Sequence, residues 1–580
     1  MTMQCENCGA ECAEPIEASA PDFRKNRLER HEGAIQICGL CSESFNRREE
    51  AVAKILESAH ERRLIVAGPG TGKTYTFRKV LENLPEGSRA VVFTLINNLA
   101  DDLRDLQLID GRDVGTFTFH GFCKNLFYQA PGGEGDFAYT GALQALIEDD
   151  ARALGMEFEI PFEQAFAELL EGEASLVFFL RRADYYNAVG FIDSVYRTFT
   201  RFRDRPETIP EYALVIADEY QDFNRLEAEF INLLATRSPV LLAGDDDQAL
   251  YGFRYASHEF IRGIFRDEDY ETFTLPLCSR CPPALTEATE GFIAAAVGRG
   301  WLEGRIPKDF ACYWPDKYRE HAKYPTVTHV HCTTRDAVHA LVENELRRLY
   351  AEDHEEIDGS TDIPFLIVGP NSRHQLKALH SYLQEHLAEA FELDLSEKAS
   401  LELEEGYARL RKDERDNLGW RLILFLDRLD DDELQAVLRR TYETNEPLVD
   451  LLPQDYKERH LAQMAQEQPN QQAEGEAGAK PKVKFVTFLG SKGLSARHVF
   501  VVGMNNYEIP RNPAAVTDAE VCEFIVALTR ARHSCTLISN GIYVARKGIL
   551  HRPSRFIQMV PRKVRRSVKV GMRKGNLVRV

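Results

Sequence analysis

Long apolar runs are missing from this 580-residue chain. No stretch approaches the ~18 uninterrupted apolar residues of a membrane-spanning helix, so no membrane association is expected. The first residues, MTMQCENCGAECAEPIEAS, lack the basic-then-apolar order of a secretion signal, and a soluble cytoplasmic chain is expected. Cysteine is scarce: 12 in all is too few for a disulfide scaffold and suits a reducing compartment. Positive charge is in deficit. Against 91 Asp and Glu stand 71 Lys and Arg, a net −20 that argues against non-specific coating of nucleic acid. The deficit is uneven, because residues 552–580 carry ten Lys or Arg and no acid. Nor is there the bias of a disordered chain: 44% hydrophobic and 28% charged residues are ordinary globular proportions. At ~100–200 residues per domain, the length predicts about three to five domains.

The few cysteines are informative by position. Cys5 and Cys8 form one CxxC, and Cys38 and Cys41 a second, with Cys12 and His31 between them. Four thiolates suit tetrahedral Zn²⁺, and a site closed by four cysteines is structural because no position is left for water. The interval between the pairs exceeds the usual ~15–20 residues, so a longer hairpin or a short helix must fill it. Cys278 and Cys281 lie inside another motif and read as packing.

The strand-like Leu64-Ile65-Val66-Ala67 is followed by Gly68-Pro69-Gly70-Thr71-Gly72-Lys73-Thr74 and then a helical pattern from Tyr75. This is GxxxxGK[ST] in a strand–loop–helix context, a phosphate-binding loop. Its glycines let backbone N–H groups close around phosphates, Lys73 reaches their oxygens, and the Thr74 hydroxyl ligates Mg²⁺. Downstream, the apolar Tyr212 to Ala217 ends in Asp218-Glu219-Tyr220-Gln221-Asp222. Asp218 is assigned to the metal and Glu219 to the attacking water. The chain reads as a nucleoside triphosphatase.

Further motifs follow in order between about Arg48 and Asn540. They are Val92-Phe93-Thr94 with Asn97 and Ala100, and Thr116 through Phe122, which includes Thr118 and His120. Next come Leu242 through Gln248, with Tyr251-Gly252-Phe253-Arg254, and then Leu275 through Pro283. Val486-Thr487 with Lys492-Gly493-Leu494, and Val526 through Ala531, complete the series. Together with the phosphate loop they resemble the superfamily 1A DNA helicases of the UvrD/Rep/PcrA type. The resemblance implies an α/β fold of two RecA-like P-loop lobes with helical insertions (1B and a reduced 2B), here with a small N-terminal zinc module. It implies ATP and Mg²⁺ as ligands, with Gly68 to Thr74 and Gly493 on the nucleotide. Gln248 senses the γ-phosphate, while Arg280 and Arg530 from the second lobe act as arginine fingers, so that lobe closure completes the site. Thr94, Asn97, Thr118 and His120 would contact the backbone of a single strand, and Tyr251, Phe253 and Arg254 would add a stacking platform.

The chain also departs from the family pattern. Ser279 stands where an aromatic stacks on adenine, Arg48 where a glutamine reads its edge, Leu489 where a histidine is usual, and Ser495 where a glutamate meets the ribose. Intact hydrolysis with relaxed base preference is expected. The domains are read as a zinc module at 1–45, lobe 1A at 46–123 and 209–295, and insertion 1B at 124–208. Lobe 2A covers 326–390 and 482–560, a reduced 2B-like insertion with its linker 391–481, and a basic hairpin tail 561–580. The leading function is an ATP-driven 3′→5′ translocase and helicase on single-stranded or tailed duplex DNA. The rival is an ATPase switch subunit of a repair or anti-phage defence complex, holding a nuclease or other protein partner through the zinc module or the basic tail. Asp218 to Asp222 is the DNA-helicase variant of its motif and disfavours an RNA helicase.

Overall fold

The computed structural model describes residues 3–19, 33–94, 104–129, 137–358, 360, 362–370, 374–395, 401–464, 480–541, 543–544, 549–550 and 552–580. Two parallel sheets organise the chain. The first has six strands, in the order Glu271–Leu275, Arg62–Ala67, Val240–Gly244, Leu214–Ala217, Arg89–Thr94 and Asp113–Thr118, all parallel. Its inner strands are near-continuous apolar runs because helices cover both faces. The second sheet runs Glu392–Leu395, Lys482–Thr487, Ile363–Gly369, Ala496–Val501, Ala531–Asn540, Val327–Cys332, Arg565–Arg573 and Asn576–Arg579. It is parallel except for its last pair, an antiparallel hairpin. Two P-loop-type α/β lobes are thus present, as the motif order implies.

Packing shifts four of the boundaries read from the sequence. The helix Gly39–Glu57 begins with Cys41 among the N-terminal cysteines and ends with Val52 and Ile55 in the core of the first lobe, so residue 45 lies inside one rigid element. The helix Pro283–Val297 was counted with the first lobe. Its Leu285, Phe292 and Ala296 pack instead among Phe524, Val526 and Phe556 of the second. Glu392–Leu395 is an edge strand of the second sheet rather than the start of the insertion. Residues 565–579 form the hairpin expected of the tail, but its first strand pairs in parallel with Val327–Cys332, so the tail is built into the lobe. Among the described residues no helix is long and apolar enough to cross a membrane.

Both insertions are helical. Leu143–Ala153, Phe162–Ala167, Ala174–Tyr185 and Phe191–Asp204 make the first. The second contains Leu403–Leu410, Asn417–Leu426, Asp431–Thr444 and Gln454–Met464 around buried Trp420. The stretch read as a linker lies mostly at 465–479, outside the described residues.

The two insertions are joined through a largely buried ionic knot. Arg421, wholly buried, donates to Asp150 Oδ1 at 2.7 Å and to Asp149 Oδ2 at 2.6 Å. Arg182 donates to Asp150 Oδ2 at 2.7 Å and to Thr441 Oγ1 at 3.2 Å, and Arg428 donates to Asp149 Oδ1 at 2.7 Å. Leu418 and Leu422 sit in the same apolar cluster as the first insertion. Removing one partner of a buried pair strands the other charge, at a cost of about 3–5 kcal/mol. Arg421→Met is therefore expected to release the 401–464 helices from the first insertion, seen as limited proteolysis within 401–464 under conditions where the wild type resists. Equal resistance of the two proteins would refute the knot.

Candidate functional site

Three adjacent strands of the first sheet end on one rim, and each delivers a motif there. Arg62–Ala67 leads into the loop 68–72 and the helix Lys73–Glu82. Gly70 and Gly72 take φ of 70° and 91°, left-handed values that favour glycine, and a Cβ on Gly70 would overlap Arg280. The Thr71 hydroxyl donates to Gly68 O at 2.8 Å, closing the loop, and Thr74 is exposed in the first helical turn. A neighbouring segment lies on the loop: Cys278 Sγ donates to Pro69 O at 3.1 Å, and the Ser279 N–H donates to Gly70 O at 2.9 Å.

Leu214–Ala217 delivers the acids. Lys73 Nζ lies 2.6 Å from Glu219 Oε1 and 3.3 Å from Asp218 Oδ1. Glu219 has φ of 56°, a strained value for a side-chain-bearing residue, of the kind that costs roughly 1–3 kcal/mol and collects at functional sites. Gln221 braces the rim, donating to Glu219 Oε2 at 2.7 Å and accepting from the Asp245 N–H at 2.9 Å. The second lobe then reaches across. Lys492 pairs with Asp222, lies 3.4 Å from Glu219 Oε2 and donates to Gln248 O at 2.8 Å, with Gly493 beside it at φ of 78°. Arg530 Nη2 donates to Gln248 Oε1 at 3.1 Å.

Electrostatics divides these groups into two kinds. Burial opposes ionisation of Glu219, but Lys73 and then Lys492 outweigh it and hold the carboxyl well below its usual range. Burial also raises Asp218, with Lys73 pulling the other way. Arg530 is different. Burial, with the Arg280 guanidinium close by, draws it down to about 9, and among the described residues it forms no ion pair with a carboxylate. Arg280 against the phosphate loop and Arg530 on Gln248 thus bring two guanidinium groups to this rim, an arrangement that attracts an anion.

The residues that depart from the family pattern have partners of their own. Ser279 is occupied with the loop backbone. Aromatic rings enter from the connecting segment instead: Phe310 lies against Gly68, and Tyr313 stacks under Arg48, whose guanidinium carbon is 4.3 Å from the ring centroid. Arg48 also lies 5.4 Å from the Tyr75 ring. Ser495 accepts from Arg532 Nε at 3.0 Å.

Of the expected strand contacts, Phe253 is 63% exposed, 5.8 Å from the Tyr251 ring. His120, Phe253 and Arg254 line one cavity of about 330 Å³ with Phe166, Glu227 and Tyr255. Burial, aided by Arg254, lowers His120 to about 4, and among the described residues its Nδ1 has no partner. Thr94 ends its strand with a buried hydroxyl that lacks a partner among the described residues, whereas Thr118 Oγ1 accepts from the Gly121 N–H at 3.1 Å. Asn97 and His31 lie outside the described residues.

At the N-terminus Cys5, Cys8, Cys38 and Cys41 come together, all buried, their sulfurs within 4.8 Å of one another. The hairpin Ile16–Ser19 with Ala34–Ile37 spans the long interval between the pairs. Cys12 is buried nearby but outside the foursome. Burial pushes the Cys8 thiol up to about 12, whereas at Cys5 hydrogen bonds from Cys8 and Cys38 outweigh burial and draw the thiol down to about 7. Asn7 ties the cluster to the main body, donating to Pro315 O at 3.1 Å.

Sequence reasoning missed Lys492 as a site residue, although it stands inside the quoted motif; its reach to Asp222 is a cross-lobe contact. It also missed Lys308, which no motif marks.

The family model for an AAA domain matches residues 48–254. DNA helicase II of Haemophilus influenzae is 27% identical over 150 residues, 24% of this chain and 21% of the relative. ATP-dependent DNA helicase PcrA of Leuconostoc citreum is 26% identical over 250 residues, 35% of this chain and 33% of the relative. A probable DNA helicase of Mycoplasma pneumoniae is 26% identical over 252 residues, 35% of this chain and 47% of the relative. The chain thus spans from about a fifth to about half the length of these curated relatives. The matches bear out the UvrD/Rep/PcrA-like resemblance read from the motifs.

Proposed function

We propose that the chain is an ATP-dependent single-stranded DNA translocase and helicase, moving 3′→5′. One observation carries this reading: Lys73, Asp218 and Glu219 on one lobe face Lys492 and Arg530 from the other, with Gln248 between them. The γ-phosphate would draw Lys73 from the carboxylates and give Arg280 and Arg530 the anion they lack. Glu219, held ionised, is an acceptor for the attacking water. Mg²⁺, held by Thr74 and Asp218, would supply charge neutralisation at the phosphate oxygens. Because the cations come from both lobes, loss of the phosphate loosens the cleft, which turns hydrolysis into relative motion. Phe253 offers a face for a base, worth ~1–3 kcal/mol and indifferent to sequence. Relatives named DNA helicases support DNA as the track. A second reading, the ATPase switch within a nuclease-bearing complex, draws support from the Asp149–Arg421 knot, which ties the two insertions together.

The deciding assay is ATP hydrolysis with and without single-stranded DNA, followed by displacement of a 3′-tailed duplex. Stimulated hydrolysis is expected, with Lys73→Ala and Glu219→Gln slowed by at least about 10²-fold. Hydrolysis without displacement would favour the switch, and displacement from a 5′ tail alone would overturn the polarity. With Ser279, Arg48 and Ser495 around the base, GTP and CTP should be hydrolysed within about tenfold of ATP, a margin of ~1.4 kcal/mol. A strict ATP preference would contradict that.

Zn²⁺ is assigned to Cys5, Cys8, Cys38 and Cys41 as a structural ion, whose binding supplies roughly 10–16 kcal/mol in comparable small modules. Elemental analysis should find about one equivalent per chain, falling below about half in Cys38→Ser. An unmutated chain with less than about half an equivalent would refute the assignment.

A further inference from the structure

Asp245, Asp246 and Asp247 follow the strand Val240–Gly244 directly, and all three are buried. Their carboxylate oxygens lie within 4.8 Å of one another, the donor set of a divalent cation site. Here the position is filled from within the chain. Lys308 Nζ lies 2.9 Å from Asp245 Oδ1, 2.6 Å from Asp246 Oδ1 and 2.9 Å from Asp247 Oδ2, and its side chain is only 4% exposed. Arg305 Nε donates to Asp247 Oδ1 at 2.8 Å, and Arg262 Nε to Asp246 Oδ2 at 3.1 Å, so three cations balance three acids.

One link from the cage to the nucleotide site runs through the side-chain amide of Gln248. Gln248 Nε2 donates to Asp245 Oδ2 at 2.7 Å, while Gln248 Oε1 accepts from Arg530 Nη2 at 3.1 Å. An ionised carboxylate only accepts and a guanidinium only donates, so charge on the two sides permits one orientation of the amide. The Lys308 ammonium, 2.9 Å from Asp245 Oδ1, holds in place the carboxylate whose other oxygen accepts from Gln248. Lys308 belongs to the segment that joins the helix Pro283–Val297 to the second lobe, and Phe310 of the same segment lies against Gly68.

We propose that Lys308 is a positioning residue for hydrolysis: its ammonium stands in for a divalent cation in the Asp245–Asp246–Asp247 cage and, through Asp245, fixes the Gln248 amide between the phosphate loop and Arg530. This rests on the nucleoside-triphosphatase reading above. It differs from a merely structural role in what it predicts for kinetics. Gln248 is oriented before substrate arrives, so loss of Lys308 acts on turnover and leaves nucleotide affinity nearly unchanged.

The test is steady-state ATP hydrolysis by the full chain, with a double-mutant cycle against Gln248→Ala. Lys308→Met is expected to lower kcat at least about tenfold while KM changes less than about threefold. Lys308→Arg, which keeps the charge, should retain more turnover than Lys308→Met. Added to Gln248→Ala, Lys308→Met should cost little more, because both changes cut the same link. Asp247→Asn weakens the cage with Lys308 and Gln248 in place; it should show a smaller kcat loss of the same non-additive kind, and it serves if Lys308→Met does not fold. An unchanged kcat, a rise in KM alone, or full additivity with Gln248→Ala would overturn the positioning role. A wild-type chain that hydrolyses no nucleoside triphosphate would instead overturn the function reading itself.

Discussion

Buried acid must be neutralised, and in this protein the neutralising cation repeatedly comes from a different part of the chain. Asp218, Glu219 and Asp222 on the first lobe meet Lys73 beside them and Lys492 from the second lobe. Asp245, Asp246 and Asp247 meet Lys308 from the connecting segment. Asp149 and Asp150 of the first insertion meet Arg421 and Arg428 of the second. Each junction is an acid cluster on one body and a cation on another. Such pairs return little net stability once desolvation is counted, but they are costly to break singly. They therefore define geometry, and the bodies are held in register by charges that are costly to separate.

The cleft uses this constraint differently from the other two junctions. The knot between the insertions and the cage around Lys308 are closed systems in which every acid is met by cations. Arg182, Arg421 and Arg428 meet Asp149 and Asp150, and Lys308, Arg305 and Arg262 meet the three aspartates. The phosphate-loop rim differs: among the described residues Arg530, buried near Arg280, forms no ion pair with a carboxylate. An incoming anion is the missing partner. The same physics that locks two junctions would leave the third responsive to an anionic ligand, as the proposed function requires.

The N-terminal module follows the same economy of connection. Cys41 opens a helix whose later turns carry Val52 and Ile55 into the core of the first lobe, and Arg48 on that helix stacks on Tyr313 of the connecting segment. A module of that size has little apolar core of its own, and its rigidity comes from the four clustered sulfurs and from sharing a helix with the lobe.

Much of the site was legible in the sequence because its parts are local. A phosphate loop needs glycines at left-handed positions and a lysine at a fixed spacing, so Gly70, Gly72 and Lys73 declare themselves. An apolar strand that ends in Asp218-Glu219 does the same, and two CxxC pairs announce a four-sulfur cluster. The two-lobe α/β architecture followed from the order of such motifs. Contacts between distant segments were not legible, since no local pattern marks them. Lys308 is an unremarkable lysine until folding brings it 62 residues back onto Asp246. Arg421 reads as one charge on an amphipathic helix, and only the approach of Asp149 and Asp150, more than 270 residues earlier, makes it a buried tie. The helix Pro283–Val297 changed lobes for the same reason, as its apolar face fits either neighbour by pattern and only packing chooses. The sequence alone determined which chemistry is present, because catalytic loops are short-range structures. The tertiary fold decided which charges that chemistry is wired to, because a buried ion pair is defined by who arrives on the other side.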